Sequence, residues 1–253
     1  GNLTTKEFDP ILMLDSFDSI NPDDYTAGFP MHPHRGIETI SYVSRGKMVH
    51  RDSLGNEAGI SDGEVQWMNS GSGIMHEEMV PAAERLLGVQ LWLNLPAKDK
   101  MSKPSYNSIK NEDIKEIEIE GGKIRLLAGK YGEHEGYKGD YLSMDYYDIH
   151  LNADAEVTLT MEEDDSVMVF TLLGDVYIDG EHIEEKTAVK LTEGDSLTIK
   201  NGNEKAQVLY MNSRALNEPV AWAGPIVMNT QEELQKAFLE LRSNTFIKET
   251  AEY

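Results

Sequence analysis

The stretch Gly28-Phe-Pro-Met-His32-Pro-His34-Arg-Gly-Ile-Glu38, followed further on by Gly71-Ser-Gly-Ile-Met-His76-Glu-Glu78, carries most of what this chain discloses. On a β-strand, side chains at i and i+2 point to one face. His32 and His34 therefore project together, and so do His76 and Glu78, while Glu77 turns away. Two such strands side by side in one barrel bring three imidazoles and a carboxylate to one point. That set suits a borderline divalent cation such as Fe(II), Mn(II), Ni(II) or Cu(II), and leaves coordination positions open. Glu38 has the parity of His32 and His34, so it competes with Glu78 as the carboxylate ligand, and the pattern does not choose between them. An isolated His-x-His is most often a surface or structural pair. The signal here comes from the second motif, flanked by Gly71-Ser-Gly73 and by Gln66-Trp-Met68.

Outward from these motifs the chain is a succession of short β-type segments, among them Glu38–Val43, Glu64–Met68, Leu87–Leu93, Val167–Leu172, Ser196–Ile199 and Gln207–Met211. Asp62-Gly63, Asp179-Gly180 and Asn201-Gly202 supply turn residues between them, the rhythm of an all-β barrel or sandwich. Helix is expected only near the end. There Thr230 and Glu233 form a capping box, and Leu234, Ala237, Phe238 and Leu241 recur on one face. The polar segment Ser102–Glu120 reads as a connection. Gly46 and Gly174, each closing an apolar strand, hint at an internal repeat. Two barrels are expected, over residues 1–115 and 116–253, with the helix in the second.

The 253 residues are 40% hydrophobic, enough for buried cores. Against 23 basic residues stand 45 acidic ones, a formal net charge of −22. Such a surface repels phosphate backbones and anionic lipid, so neither direct nucleic-acid binding nor membrane association is expected. The chain has no cysteine, which excludes disulfides, thiolate metal sites and cysteine nucleophiles. It has no long apolar run, and residues 1–10 contain no apolar signal-peptide core, so a cytoplasmic protein is expected.

Phe29-Pro-Met-His-Pro-His-Arg-Gly-Ile-Glu38, Gln66-Trp-Met68, Gly73-Ile-Met-His-Glu-Glu-Met79, Gln90-Leu-Trp-Leu-Asn94 and Gly224-Pro-Ile-Val-Met-Asn-Thr230 resemble the pirin family, in family order and over nearly the whole chain. The resemblance implies a bicupin: two jelly-roll-like cupin β-barrels packed face to face, with metal in the first only. It implies His32, His34, His76 and Glu78 as ligands, which decides the carboxylate question against Glu38. It implies one divalent transition metal, Fe(II) first, with Mn, Ni, Cu or Zn as alternatives. The activity implied is that of a quercetin 2,3-dioxygenase (quercetinase), cleaving a flavonol with dioxygen, with Glu78 as the catalytic base. Phe29, Trp67 and Met68 are candidates for a flat aromatic pocket or for core packing. The same resemblance carries an alternative, a non-enzymatic metal-binding regulator of transcription or of metabolic enzymes that acts through protein contacts. A monomer is expected.

Aligning Gly174 on Gly46 sets Thr160 and Glu162 against His32 and His34, and aligning Gly194 on Gly63 sets Gln207 against His76. No three-histidine set recurs, so the second barrel is expected to be free of metal. His50 is a candidate for a supporting role beside the site. His134, His150 and His182 share no spacing and are expected to be solvated or singly hydrogen-bonded. Free imidazole titrates near pH 6.5, so metal is expected to leave below about pH 6.

Overall fold

The computed structural model describes residues 4–250. The chain divides into two compact units, the first comprising residues up to Lys110 together with those from Leu216 onward, the second Asn111–Ala215.

The first unit contains β1 (Ile11–Ser19), β2 (Phe29–His34), β3 (Ile37–Arg45), β4 (Lys47–Asp52), β5 (Glu57–Ser61), β6 (Glu64–Asn69), β7 (Ile74–Met79), β8 (Leu86–Asn94) and β9 (Ser105–Ile109). These form two antiparallel sheets, in the orders β1-β8-β3-β6-β9 and β2-β7-β4-β5. The second unit runs through β10 (Lys115–Ile119), β11 (Gly122–Ala128), the short β12 (Lys130–Tyr131) and β13 (His134–Glu135), β14 (Met144–Leu151), β15 (Glu156–Thr160), β16 (Asp165–Leu173), β17 (Val176–Ile178), β18 (Glu181–Ile183), β19 (Ala188–Lys190), β20 (Ser196–Asn201) and β21 (Ala206–Arg214). Its main sheets are β10-β11-β14-β21-β16-β19 and β15-β20-β17-β18.

The run β14 to β21 thus repeats the pairing order of β1 to β8 strand for strand, and each unit is a cupin barrel. The Gly46–Gly174 anchor holds, since each glycine joins the third and fourth strands of its repeat. The second anchor slips by one strand. Gly194 precedes β20, the counterpart of β7, whereas Gly63 precedes β6. The strand matching His76 is therefore β20, and Gln207 lies on β21, the counterpart of β8.

Side-chain alternation explains which faces are covered. In β7 the pattern Ile74, His76, Glu78 is buried and Met75, Glu77, Met79 is not. In β15, Val157 and Leu159 are buried between exposed Glu156, Thr158 and Thr160. The second barrel is filled by aliphatic side chains, with Val157, Leu159, Val176, Ile178, Leu197 and Ile199 in one apolar cluster. His150 and His182 are bonded singly, to Asp148 and Asp175, and His134 is exposed.

After Ala215 the chain rejoins the first unit through β22 (Ala221–Ala223), β23 (Ile226–Met228) and α1 (Gln231–Arg242). The capping box forms as the sequence requires: Thr230 Oγ1 accepts from Glu233 N at 3.2 Å, and Thr230 N donates to Glu233 Oε2 at 2.9 Å. The helix buries Leu234 and Ala237 against Ala221, Ile226, Met228 and Phe246. This corrects the expected division at 115/116, which gave the helix to the second barrel. Its apolar face is covered by the β22–β23 hairpin, and that hairpin is fastened to the link between β2 and β3.

The fastening is polar and buried. Val227 N donates to Arg35 O at 3.1 Å. The Arg35 side chain, 2% exposed, donates from Nε to Ser72 O at 2.7 Å and from Nη2 to Phe246 O at 2.9 Å. It also pairs with Glu240 at 2.8 Å and lies over the Phe246 ring at 4.2 Å. Lys100 Nζ donates to Gly36 O at 2.7 Å and to Val227 O at 3.1 Å, and burial sends its pKa down to about 7 against the pull of Glu218 and Glu233. Gly36 has φ of +79°, and a Cβ there would stand 1.9 Å from Val227 O, so only glycine fits.

All three tryptophans, Trp67, Trp92 and Trp222, lie in the first unit, so their fluorescence reports its unfolding alone. Arg35→Met removes a buried cation, strips Ser72 O and Phe246 O of their side-chain donor and leaves Glu240 with Lys248 alone. Urea unfolding of the metal-free protein followed by tryptophan fluorescence is expected to show a loss of about 3 kcal/mol. A loss below about 0.5 kcal/mol, the range of ordinary surface substitutions, would contradict this account of the C-terminal segment.

Candidate metal centre

The β2–β7 ladder sets the site. Phe29 faces Glu78 and His32 faces His76, so β2 advances three residues where β7 advances two. This bulge turns Phe29, His32 and His34 to one side of the sheet, opposite His76 and Glu78. The three imidazoles meet there. One ligand atom from each of His32, His34 and His76 lies within 4.8 Å of the others, and ring centroids are 4.3 to 5.0 Å apart. No second such group of three occurs among the described residues.

The hydrogen-bond partners assign the protons on two of these rings. His32 Nδ1 lies 2.8 Å from Pro30 O, and His34 Nδ1 lies 3.0 Å from Pro225 O. A carbonyl only accepts, so both rings carry their proton on Nδ1. Their Nε2 atoms, 3.1 Å apart, then present lone pairs to each other. His76 Nε2 is buried without a hydrogen-bond partner. Converging lone pairs with no donor between them are what a cation neutralises, so the three side chains fit a divalent metal ion held through nitrogen. Trp92 stands edge-on to His34 at 5.0 Å and walls the cluster on one side.

Glu78, the fourth expected ligand, stands outside this group. It is 2% exposed on the next inward position of β7, and its carboxylate accepts from the Gln66 amide and, at 3.2 Å, from the Gln90 amide. Burial raises its pKa, against the lowering effects of Gln90, His50, His32 and Gln66. Glu38 is buried on β3 between Asn69 and Leu93 and is not in the group either. Of the aromatic-pocket candidates, Trp67 and Met68 are sealed at 2% and 0% exposure, whereas Phe29 is 45% exposed on the metal-facing side.

Sequence reading left out the surroundings of Glu78. Ser41 Oγ accepts from the amides of Gln66 at 3.3 Å and Gln90 at 3.0 Å, and Tyr106 donates to Gln66 Oε1 at 3.4 Å. These residues sit on four neighbouring strands of one sheet, β8, β3, β6 and β9. The sequence does mark Gln66 and Gln90, which open the motifs Gln66-Trp-Met68 and Gln90-Leu-Trp-Leu-Asn94, but not their contact with Glu78.

Comparison with known proteins finds relatives along most of the chain. The sequence profile described as Pirin matches residues 2–93, and that described as Pirin C-terminal cupin domain matches residues 146–247. A Pseudomonas aeruginosa protein named "Putative quercetin 2,3-dioxygenase" is 38% identical, with 96% of this chain and 88% of that protein covered. Human pirin is 36% identical, with 96% of this chain and 84% of human pirin covered. A crystal structure of quercetin 2,3-dioxygenase from Acinetobacter baumannii superposes with a TM-score of 0.89 at 32% identity, covering 97% of this chain and 88% of that one.

Burial and the neighbouring His32 push the His34 pKa down to about 3, although its bond to Pro225 O raises it. His76 is pushed lower still, by burial first and then by His34, His32 and His50. Protonation of His34 and His76 in the folded chain therefore lies well below the 6.5 of free imidazole, and below the pH 6 expected from the sequence for loss of metal. The unfolded chain takes up these protons near pH 6.5, so between about 6.5 and 3 it binds more than the folded one. Stability of the metal-free first unit is expected to fall as pH drops through that window, by about 1.4 kcal/mol per pH unit for each imidazole. Tryptophan-monitored urea unfolding in the presence of chelator measures the slope, and His34→Leu is expected to reduce it. A pH-independent midpoint across the window would contradict the placement of these rings.

Proposed function

The chain belongs to the pirin family, and from that premise we propose that it is a metal-dependent dioxygenase that cleaves a flavonol or similar aromatic enol with dioxygen, acting as a cytoplasmic protein. His32, His34 and His76 hold the metal, for which we infer Fe(II), and Glu78 is the base. The observation that carries this reading is a buried carboxylate one inward position along β7 from a three-histidine cluster, two of whose rings are buried. The relatives and the solved structure named for quercetin dioxygenation support it. No helix among the described residues is long and apolar enough to cross a membrane.

A divalent ion held by three neutral imidazoles acts as a Lewis acid and lowers the pKa of a hydroxyl brought to it. The protein supplies the rest. Glu78 accepts the hydroxyl proton, and burial strengthens it as a base. The amides of Gln66 and Gln90 hold its carboxylate in one orientation. His34 and His76 are closed to solvent, whereas His32 is half-buried at the open side. Phe29, 45% exposed and paired with Glu78 in the β2–β7 ladder, gives that side apolar surface suited to a flat aromatic ligand.

A second reading, a metal-binding regulator acting through protein contacts, is favoured by one observation. Human pirin, whose name states no activity, is as similar to this chain as the proteins named for dioxygenation.

Protein loaded anaerobically with Fe(II) and then given quercetin and air is expected to bleach the flavonol absorbance and release carbon monoxide. Glu78→Gln is expected to keep the metal and lower kcat by about 10²- to 10⁴-fold. Unchanged kcat in that variant would remove Glu78 as the base. No turnover above free metal, with Fe, Mn, Ni or Cu, would leave the regulatory reading.

A further inference from the structure

His76 differs from its two neighbours. The outer nitrogens of His32 and His34 face carbonyls, which settle the tautomer on their own. His76 Nδ1 faces another imidazole, with His50 Nδ1 at 3.4 Å. Either ring could carry the proton between them, and only one choice leaves His76 Nε2 bare.

The far side of His50 decides. His50 Nε2 lies 2.7 Å from Asp52 Oδ2, and an ionised carboxylate only accepts. Asp52 is itself fixed, since its Oδ1 accepts from Leu54 N at 2.9 Å and Asn56 N at 3.1 Å, and its Oδ2 accepts from the Asn56 amide at 2.9 Å. With the His50 proton committed to Asp52, His50 Nδ1 is a lone pair, and His76 must donate to it from Nδ1.

The His50 ring has little freedom to choose otherwise. It is 0% exposed and stacks on Tyr106, centroid to centroid 4.0 Å at 14°. In the β4–β7 ladder His50 lies opposite Glu78, and Asp52 lies opposite His76. The reverse tautomer would place an N–H at His76 Nε2, a buried donor with nothing to receive it.

We propose that His50 and Asp52 are positioning residues for the metal centre, locking His76 in the tautomer that turns a bare Nε2 toward His32 and His34. This rests on the three-histidine metal reading and is independent of the reaction performed there.

Nitrogen NMR of histidine-labelled, metal-free, full-length protein at neutral pH reads the tautomer directly. In the wild type, His76 is expected to carry its proton on Nδ1. Asp52→Asn keeps the turn-side oxygen but offers His50 Nε2 an N–H in place of an acceptor. The His50 proton then moves to Nδ1, and His76 is expected to switch to the Nε2–H form. Zn(II) affinity, measured by chelator competition, is expected to weaken by about 10- to 100-fold. His50→Phe keeps the ring against Tyr106, removes the acceptor and is expected to weaken Zn(II) in the same direction. A zinc-binding wild type with the proton on His76 Nε2 would overturn the positioning role alone. So would variants that bind Zn(II) as tightly as the wild type. A wild type that binds no Zn(II) would overturn the metal reading beneath it.

Discussion

Two neutral imidazoles whose bare nitrogens stand 3.1 Å apart repel each other, and here neither can turn away. Each ring is pinned from behind, His32 by the Pro30 carbonyl and His34 by the Pro225 carbonyl. The third, His76, comes up from the opposite strand, directly across from His32. Such a cluster costs folding free energy, because buried polar atoms have exchanged water for one another. The surrounding first unit must supply that free energy. Its sheets do so with continuous apolar packing, in which Ile37, Ile40, Val43, Val65, Ile74, Val89 and Leu91 are all at most 1% exposed.

The return of the chain after Ala215 follows from the same constraint. Pro225 O, which pins His34, belongs to the segment joining β22 to β23, so the ligand geometry depends on where that hairpin sits. The hairpin is held by backbone pairing to Arg35, the residue next to His34, and by the buried Arg35 and Lys100 side chains reaching its carbonyls and those beyond it. Helix α1 covers the hairpin's outer face and supplies Glu240 to the Arg35 guanidinium. A segment remote in sequence thus fixes one ring of the centre.

Much of this was written locally. The parity of His32, His34 and His76 needs only a two-residue strand period, and the Thr230–Glu233 capping box needs only one turn of helix. Gly46 and Gly174 mark the same turn in both repeats because each closes a long strand with positive φ, 107° and 74°. What was not written locally is strand adjacency. That β4 lies beside β7 is a long-range pairing, and without it His50 cannot be placed near His76. The slip of the Gly194 anchor has the same cause, since turn residues alone do not number the strands between them. How the carboxylate is held is hidden for a different reason. Strand parity puts Glu78 on the inward face but does not say how far along the barrel, and the Gln66 and Gln90 amides that claim it come from other strands.

The second unit shows what the fold does with aliphatic side chains at the matching inward positions. Its eight-strand run has the same pairing order, yet the inward positions of β15 and β20, the counterparts of β2 and β7, hold Val157, Leu159, Leu197 and Ile199. Four aliphatic side chains meeting inside a barrel release water and gain dispersion contacts at no polar cost, whereas three imidazoles give up hydrogen bonds to water that only a bound partner restores. One architecture therefore serves two physical ends, a dry core in one repeat and a polar, ligand-ready interior in the other. Strand order does not decide which, so fold alone assigns no chemistry to either barrel. The decision lies in a handful of inward positions and in the groups that orient them from behind. In the first unit those groups are two backbone carbonyls and an imidazole backed by a carboxylate.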